Sequence, residues 1–144
     1  MSDARNQQHI IVGVDGSDSS VDALREAAVM ADALHLPLEV VTTWEYPVEY
    51  TPLPVWSPEA DARSIQSMAI NKAFMDTPPE DLTTTTAPGP AARTLIELSK
   101  SARMLVLGSR GHGGFVGMLL GSVSAACAEH ARCPVLVVHG TRAD

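Results

Sequence analysis

The residues with the clearest chemical signature in this chain are glycines at a fixed spacing: Gly108-x-x-Gly111, nine residues, then Gly121-Ser122, inside the stretch GSRGHGGFVGMLLGS at 108–122. Six of the ten glycines fall there, directly after the apolar run MLVL. Glycine takes positive φ readily and lets a ligand approach a backbone that carries no Cβ. Backbone amides leaving a strand at Gly108 and a helix N-terminus beginning at Ser122 would therefore converge on an anion, with positive φ expected at Gly111 and Gly121. The plainer alternative is a flexible connector. Two other phosphate fingerprints do not apply. A P-loop needs Lys, and none lies between Gly108 and Ser122; a dinucleotide fingerprint from Gly111 would need glycine where Val116 stands.

Elements able to position such a loop are legible around it. Apolar runs at 9–14, 38–44, 104–108 and 134–140 lack strict polar alternation, which predicts strands covered on both faces. A threonine-rich stretch at 81–87 predicts one more strand. Helical spacing covers 19–36, where Ser19 and Asp22 resemble a capping box and Pro37 is a stop. A second helix is expected from Ser57 as N-cap, with Pro58 in its first turn, to about Asp76. Two more are expected at 91–102 and 122–132, the last stopped by Pro134. Strands alternating with helices imply right-handed crossovers, hence a three-layer, doubly wound α/β domain over 1–144 with a parallel sheet and helices on both faces. Ligands in such sheets settle beyond the strands' carboxyl ends, where the strand order reverses. The glycine stretch starts at such an end.

With these residues in place the chain resembles the universal stress proteins, of the subgroup that binds ATP through a G-2x-G-9x-G-(S/T) motif. IIVGVDGSDSSVDALREAA resembles the family's first strand and helix, and GSRGHGGFVGMLLGSVSAACAEHARCPVLVV its last strand, loop, helix and strand. Residues 45–85 match less well. Where the family often carries an acidic residue before the fourth strand, this chain reads SARMLVLG. The resemblance implies five parallel strands in the order 3-2-1-4-5. It also implies that Asp15 meets the ribose hydroxyls, with Gly13 and Val14 as the floor beneath the nucleoside and Thr43 offering main-chain groups to adenine. Gly108, Ser109, Arg110 and Gly111 would line the phosphates, and Gly121, Ser122, Val123 and Ser124 would close the site. A carboxylate suits two hydroxyl donors, and a guanidinium fork suits phosphate oxygens. Turn initiation by Asp15, a plain strand threonine at 43 and a solvated Arg110 are the alternatives. The implied cofactor is ATP, with magnesium held mainly by its phosphates.

Composition narrows the partners. With a net charge of -7 and only 19% charged residues, a chain of 144 residues is a globular type and a poor nucleic-acid binder. No apolar run approaches the roughly 20 residues of a membrane span. The first residues lack the pattern of a secretory signal, so the cytoplasm is expected. Cys127 and Cys133 read as buried thiols. The five histidines, His112 within the glycine stretch among them, form no metal-binding pattern, and a GxSxG elbow is missing. The segment 45–57, rich in proline and aromatic residues, would pack on its own domain, form a lid or meet a partner. The apolar last strand, Val135 to Val138, is expected to pair with its twin in a homodimer. The implied function is an ATP-binding stress regulator or sensor with its own downstream protein partner. The alternatives are a slow ATPase or nucleotidyl-transfer enzyme and a nucleotide-free dimeric scaffold.

Overall fold

Strands with two apolar faces need helices on both sides, and the alternation of elements supplies them. The computed structural model describes residues 8–46, 57–111 and 120–140. In chain order its elements are β1 (Ile10–Gly13), α1 (Asp18–Leu34), β2 (Leu38–Trp44), α2 (Pro58–Phe74), β3 (Leu82–Pro88), α3 (Ala91–Ser99), β4 (Met104–Gly108), α4 (Ser122–His130) and β5 (Val135–Val138). The sheet is parallel throughout, in the order β3-β2-β1-β4-β5, as expected. The central strand β1 sets the register, with Val12 opposite Val40 of β2 and Val106 of β4.

Alternation along the strands divides the core in two. Ile10, Val12, Leu38, Val40 and Val106 pack with Val21, Leu24, Ala27 and Ala31 of α1 and Ala69 of α2. Ile11, Val41, Leu105 and Leu107 pack on the other face with Leu95 of α3 and Cys127 of α4. The buried amide of Gln66 on α2 donates to Val40 O at 3.0 Å and to Thr85 O at 2.9 Å, which ties the threonine-rich edge strand β3 to β2.

Several boundaries differ from the sequence reading. The N-cap of α1 is Ser17, whose side chain accepts from Ser20 N–H, so the Ser19/Asp22 capping box does not form; Ser19 already lies inside the helix. That helix stops at Leu34, before Pro37, because His35 turns left-handed (φ 56°) and Leu36 N–H closes on Ala31 O at 2.9 Å. Ser57 caps α2 as expected, with its side chain accepting from Ala60 N–H at 3.2 Å. α2, α3 and α4 end two or three residues earlier than the periodicity suggested. Cys133 is only half-buried, whereas Cys127 is fully buried; burial, and then the neighbouring Cys133, pushes the Cys127 thiol up to about 11. Among the described residues no helix is long and apolar enough to cross a membrane. Residues 47–56 of the proline-aromatic segment and His112 lie outside the described residues.

Candidate functional site

A cavity of about 340 Å³ opens beyond the carboxyl ends of β1, β2 and β4. This is the switch point, where the chain leaves β1 toward β2 on one side and has β4 on the other. Its floor is apolar. Gly13 pairs with Val41 in the sheet, and a Cβ on Gly13 would sit 2.6 Å from Leu107 Cδ2 and 3.2 Å from Leu95 Cδ1, so a bare backbone is what lets these side chains close beneath the cavity. Val14, Thr43 and Ala91 complete that end.

The polar end joins segments far apart in sequence. Asp15 Oδ1 accepts the Ser17 N–H at 2.9 Å and the Ser17 hydroxyl at 2.6 Å, so Asp15 does begin the turn into α1 and also borders the cavity. A Cβ on Gly111 would lie 2.5 Å from Asp15 Oδ2, and one on Gly121 would lie 3.4 Å from Arg110 Cα. Asp15, Arg110, Gly111 and Gly121 thus stand around one opening. Two helices begin at the cavity without side-chain caps: α3 after Pro90, at the apolar end, and α4 after Gly121, at the polar one. The first backbone bond of α4 runs from Ala125 N–H to Gly121 O, which leaves the amides of Ser122, Val123 and Ser124 without intrahelical acceptors. Uncapped first-turn amides carry the positive end of a helix dipole toward whatever fills the cavity.

Eleven of the twelve residues expected from sequence line this cavity: Gly13, Val14, Asp15, Thr43, Gly108, Arg110, Gly111, Gly121, Ser122, Val123 and Ser124. Ser109 does not; it is 5% exposed. The expected positive φ is also corrected, since the described glycines in the left-handed region are Gly16 and Gly89, while Gly121 is at φ -74°. Close approach to Asp15 Oδ2 accounts for Gly111, whereas a Cβ on Gly121 would meet its neighbours at 3.4 to 3.5 Å. Ser20, Val41, Ala91, Leu95 and Leu107 line the cavity too and escaped sequence reasoning. Leu95 and Leu107 carry the same apolar signal as any core residue, and only Ala91, first in a helix that starts on the strands' carboxyl side, could have been found by placement.

At the far end of the same sheet face, Glu39 accepts from Thr85 Oγ1 and stands 2.8 Å from His9 Nε2. The His9 hydrogen bond, aided by Thr85, holds the Glu39 carboxyl below the usual carboxylate range against the opposing effect of burial. No group of three metal-ligating side chains gathers among the described residues.

A doubly wound α/β unit with a ligand-sized cavity at its switch point is the class that fold and site define. A family model describes the particular case: the Universal stress protein family matches residues 7–139, and the chain belongs to that family. Universal stress protein Rv2623 of Mycobacterium tuberculosis is 33% identical over 149 residues, covering 96% of this chain and 50% of that protein. The chain spans about half the length of the curated relatives it matches. Among solved structures, universal stress protein UspA from Lactobacillus plantarum is 25% identical with a TM-score of 0.76, covering 92% of this chain and 97% of that one. A universal stress protein in complex with cAMP is 28% identical with a TM-score of 0.62, covering 93% and 98%.

Proposed function

We propose that the cavity binds ATP and that the protein works as a nucleotide-responsive stress regulator. The observation that carries this reading is the meeting of Asp15, Gly111 and the uncapped start of α4 at the rim of an apolar cavity. The base lies over Val41, Leu95 and Leu107, with main-chain groups near Thr43 reading the adenine edge. Asp15 accepts from the ribose hydroxyls. The phosphates reach Arg110, the Gly108–Gly111 backbone and the amides of Ser122 to Ser124, and magnesium enters on the phosphates. The neighbour in complex with cAMP supports a nucleotide in such a site. Rapid phosphoryl transfer asks for more charge neutralisation than Arg110, the one arginine among the described lining residues, supplies, so regulation is favoured over turnover. The 144 residues act as one nucleotide-binding domain in the cytoplasm, paired through the edge strand β5, whose four residues are all partly exposed.

Calorimetry with MgATP, MgGTP and cAMP tests the assignment, together with mass spectrometry of nucleotide released from freshly purified protein. Tighter binding of MgATP than of MgGTP is expected. Equal affinities, or no heat at millimolar concentration, would remove the adenine reading, and preference for cAMP would shorten the phosphate end. Light scattering at tens of micromolar reads the dimer, and Val137→Pro should give monomers or insoluble protein; a fully dimeric variant would place the contact elsewhere.

A further inference from the structure

Ser109 lies outside the cavity, yet its peptide groups join three elements. Its N–H donates to Val138 O of β5 at 2.9 Å, and its carbonyl accepts from Gly121 N–H at 2.6 Å and from Ser124 Oγ at 3.0 Å. Ser124 is 3% exposed, and the single proton of its hydroxyl is shared between Ser109 O and Gly121 O, the latter at 3.1 Å. A hydroxyl has one proton to give, so none is left for a phosphate. From the opposite side, Ser19 Oγ of α1 accepts the Arg110 N–H at 3.4 Å. The Ser19 backbone lies so close to Gly108 that a Cβ there would be 2.7 Å from the Ser19 carbonyl carbon.

We propose that Ser124 and Ser19 are positioning residues, a two-sided clamp on Ser109 and Arg110 that fixes the distance between the Arg110–Gly111 backbone and the first-turn amides of α4. The proposal rests on the phosphate reading of this end of the cavity, and within that reading it removes the Ser124 hydroxyl from the ligand contacts. The exposed Ser122 is the hydroxyl that meets phosphate. Positioning acts on phosphate binding because helix amides and a guanidinium reward an anion only when they converge on one point.

Ser124→Ala, Ser124→Thr and Ser19→Ala, each titrated with MgATP and with adenosine, test the clamp. Hydrogen exchange of the Gly121 amide in the unliganded protein provides the second readout. Ser124→Ala should weaken MgATP about tenfold, leave adenosine within about twofold and speed Gly121 exchange about tenfold, whereas Ser124→Thr, which keeps the hydroxyl, should behave as wild type. Ser19→Ala should move the same quantities in the same direction by a smaller factor. Equal losses for MgATP and adenosine would reduce Ser124 to a general structural role. A loss confined to MgATP with Gly121 exchange unchanged would make its hydroxyl a direct ligand. Both results overturn the clamp. Should neither ligand bind wild-type protein, the nucleotide reading fails while exchange at Gly121 still decides the clamp: acceleration in Ser124→Ala supports it and an unchanged rate overturns it.

Discussion

The two faces of the sheet start their helices differently. On one face α1 and α2 are each capped by a serine, Ser17 on Ser20 N–H and Ser57 on Ala60 N–H, and each runs for 17 residues over an apolar core. On the other face α3 and α4 are 9 residues long, begin after Pro90 and Gly121, and receive no side-chain cap. Both uncapped starts border the cavity and both capped starts keep a hydroxyl on their own amides. A helix start leaves four orphan N–H groups, and whether the chain satisfies them itself decides whether a face is closed for stability or open to a ligand. The glycine motif is split by the same division. Gly108 lines the cavity but also presses on Ser19 of α1, a helix of the capped side, whereas Gly111 and Gly121 face Asp15 and Arg110 around the opening.

The sharpest test of that division is Gly108→Ala, whose methyl group meets Ser19 backbone atoms that cannot swing aside. Overpacking of this kind should cost about 2 to 3 kcal/mol, read as a lowered midpoint in urea. A stability near wild type with ATP affinity lost would make the ligand, and not the packing on Ser19, the reason for glycine at 108. Gly121→Ser should do the reverse, since its Cβ finds room at 3.4 Å from Arg110 Cα and its hydroxyl can cap α4. We expect stability unchanged or slightly raised and ATP affinity reduced about tenfold, as hydroxyl and phosphate compete for the same amides. Tighter ATP binding would contradict the open-helix account. Smaller again, Ser57→Ala should destabilise by about 1 kcal/mol, measured by thermal unfolding, with nucleotide affinity untouched.

The smallest expected effect concerns charge. Glu39 points to the open face between Leu38 and Val40, which point to the closed one. Because its carboxyl is depressed in the folded state, its contribution is complete above the unfolded-state pKa and disappears as pH falls through the lower folded-state value. Glu39→Gln should therefore flatten the acid limb of stability against pH by up to about 1 kcal/mol and change little near neutrality beyond a constant offset. An acid limb of unchanged slope would assign the acid sensitivity to other carboxylates.

Much of this was legible in the residues. Runs such as LEVVTTW and MLVLG carry their own β preference and two apolar faces, and Ser57-Pro58 is a local helix start, so their elements appear where the spacing placed them. The start of the first helix is not legible because DGSDSS offers several serines close together, and only the extended backbone of Ser17 selects one as the cap. Leu95 and Leu107 as cavity walls were not legible, because apolar residues are written alike whether they fill a core or floor a site.

What the linear order of residues determined, then, is the succession of elements and the glycine spacing, since both rest on interactions within a few residues of one another. Tertiary structure alone decided which glycine packs and which opens, which serine hydroxyl is spent on the fold, and that Asp15 stands against Gly111, 96 positions away. Those outcomes depend on the two successive peptides on either side of Ser109, at the exit of β4, being gripped by α1, α4 and β5 at once, and no local preference specifies contacts among four segments that meet only when the sheet has formed.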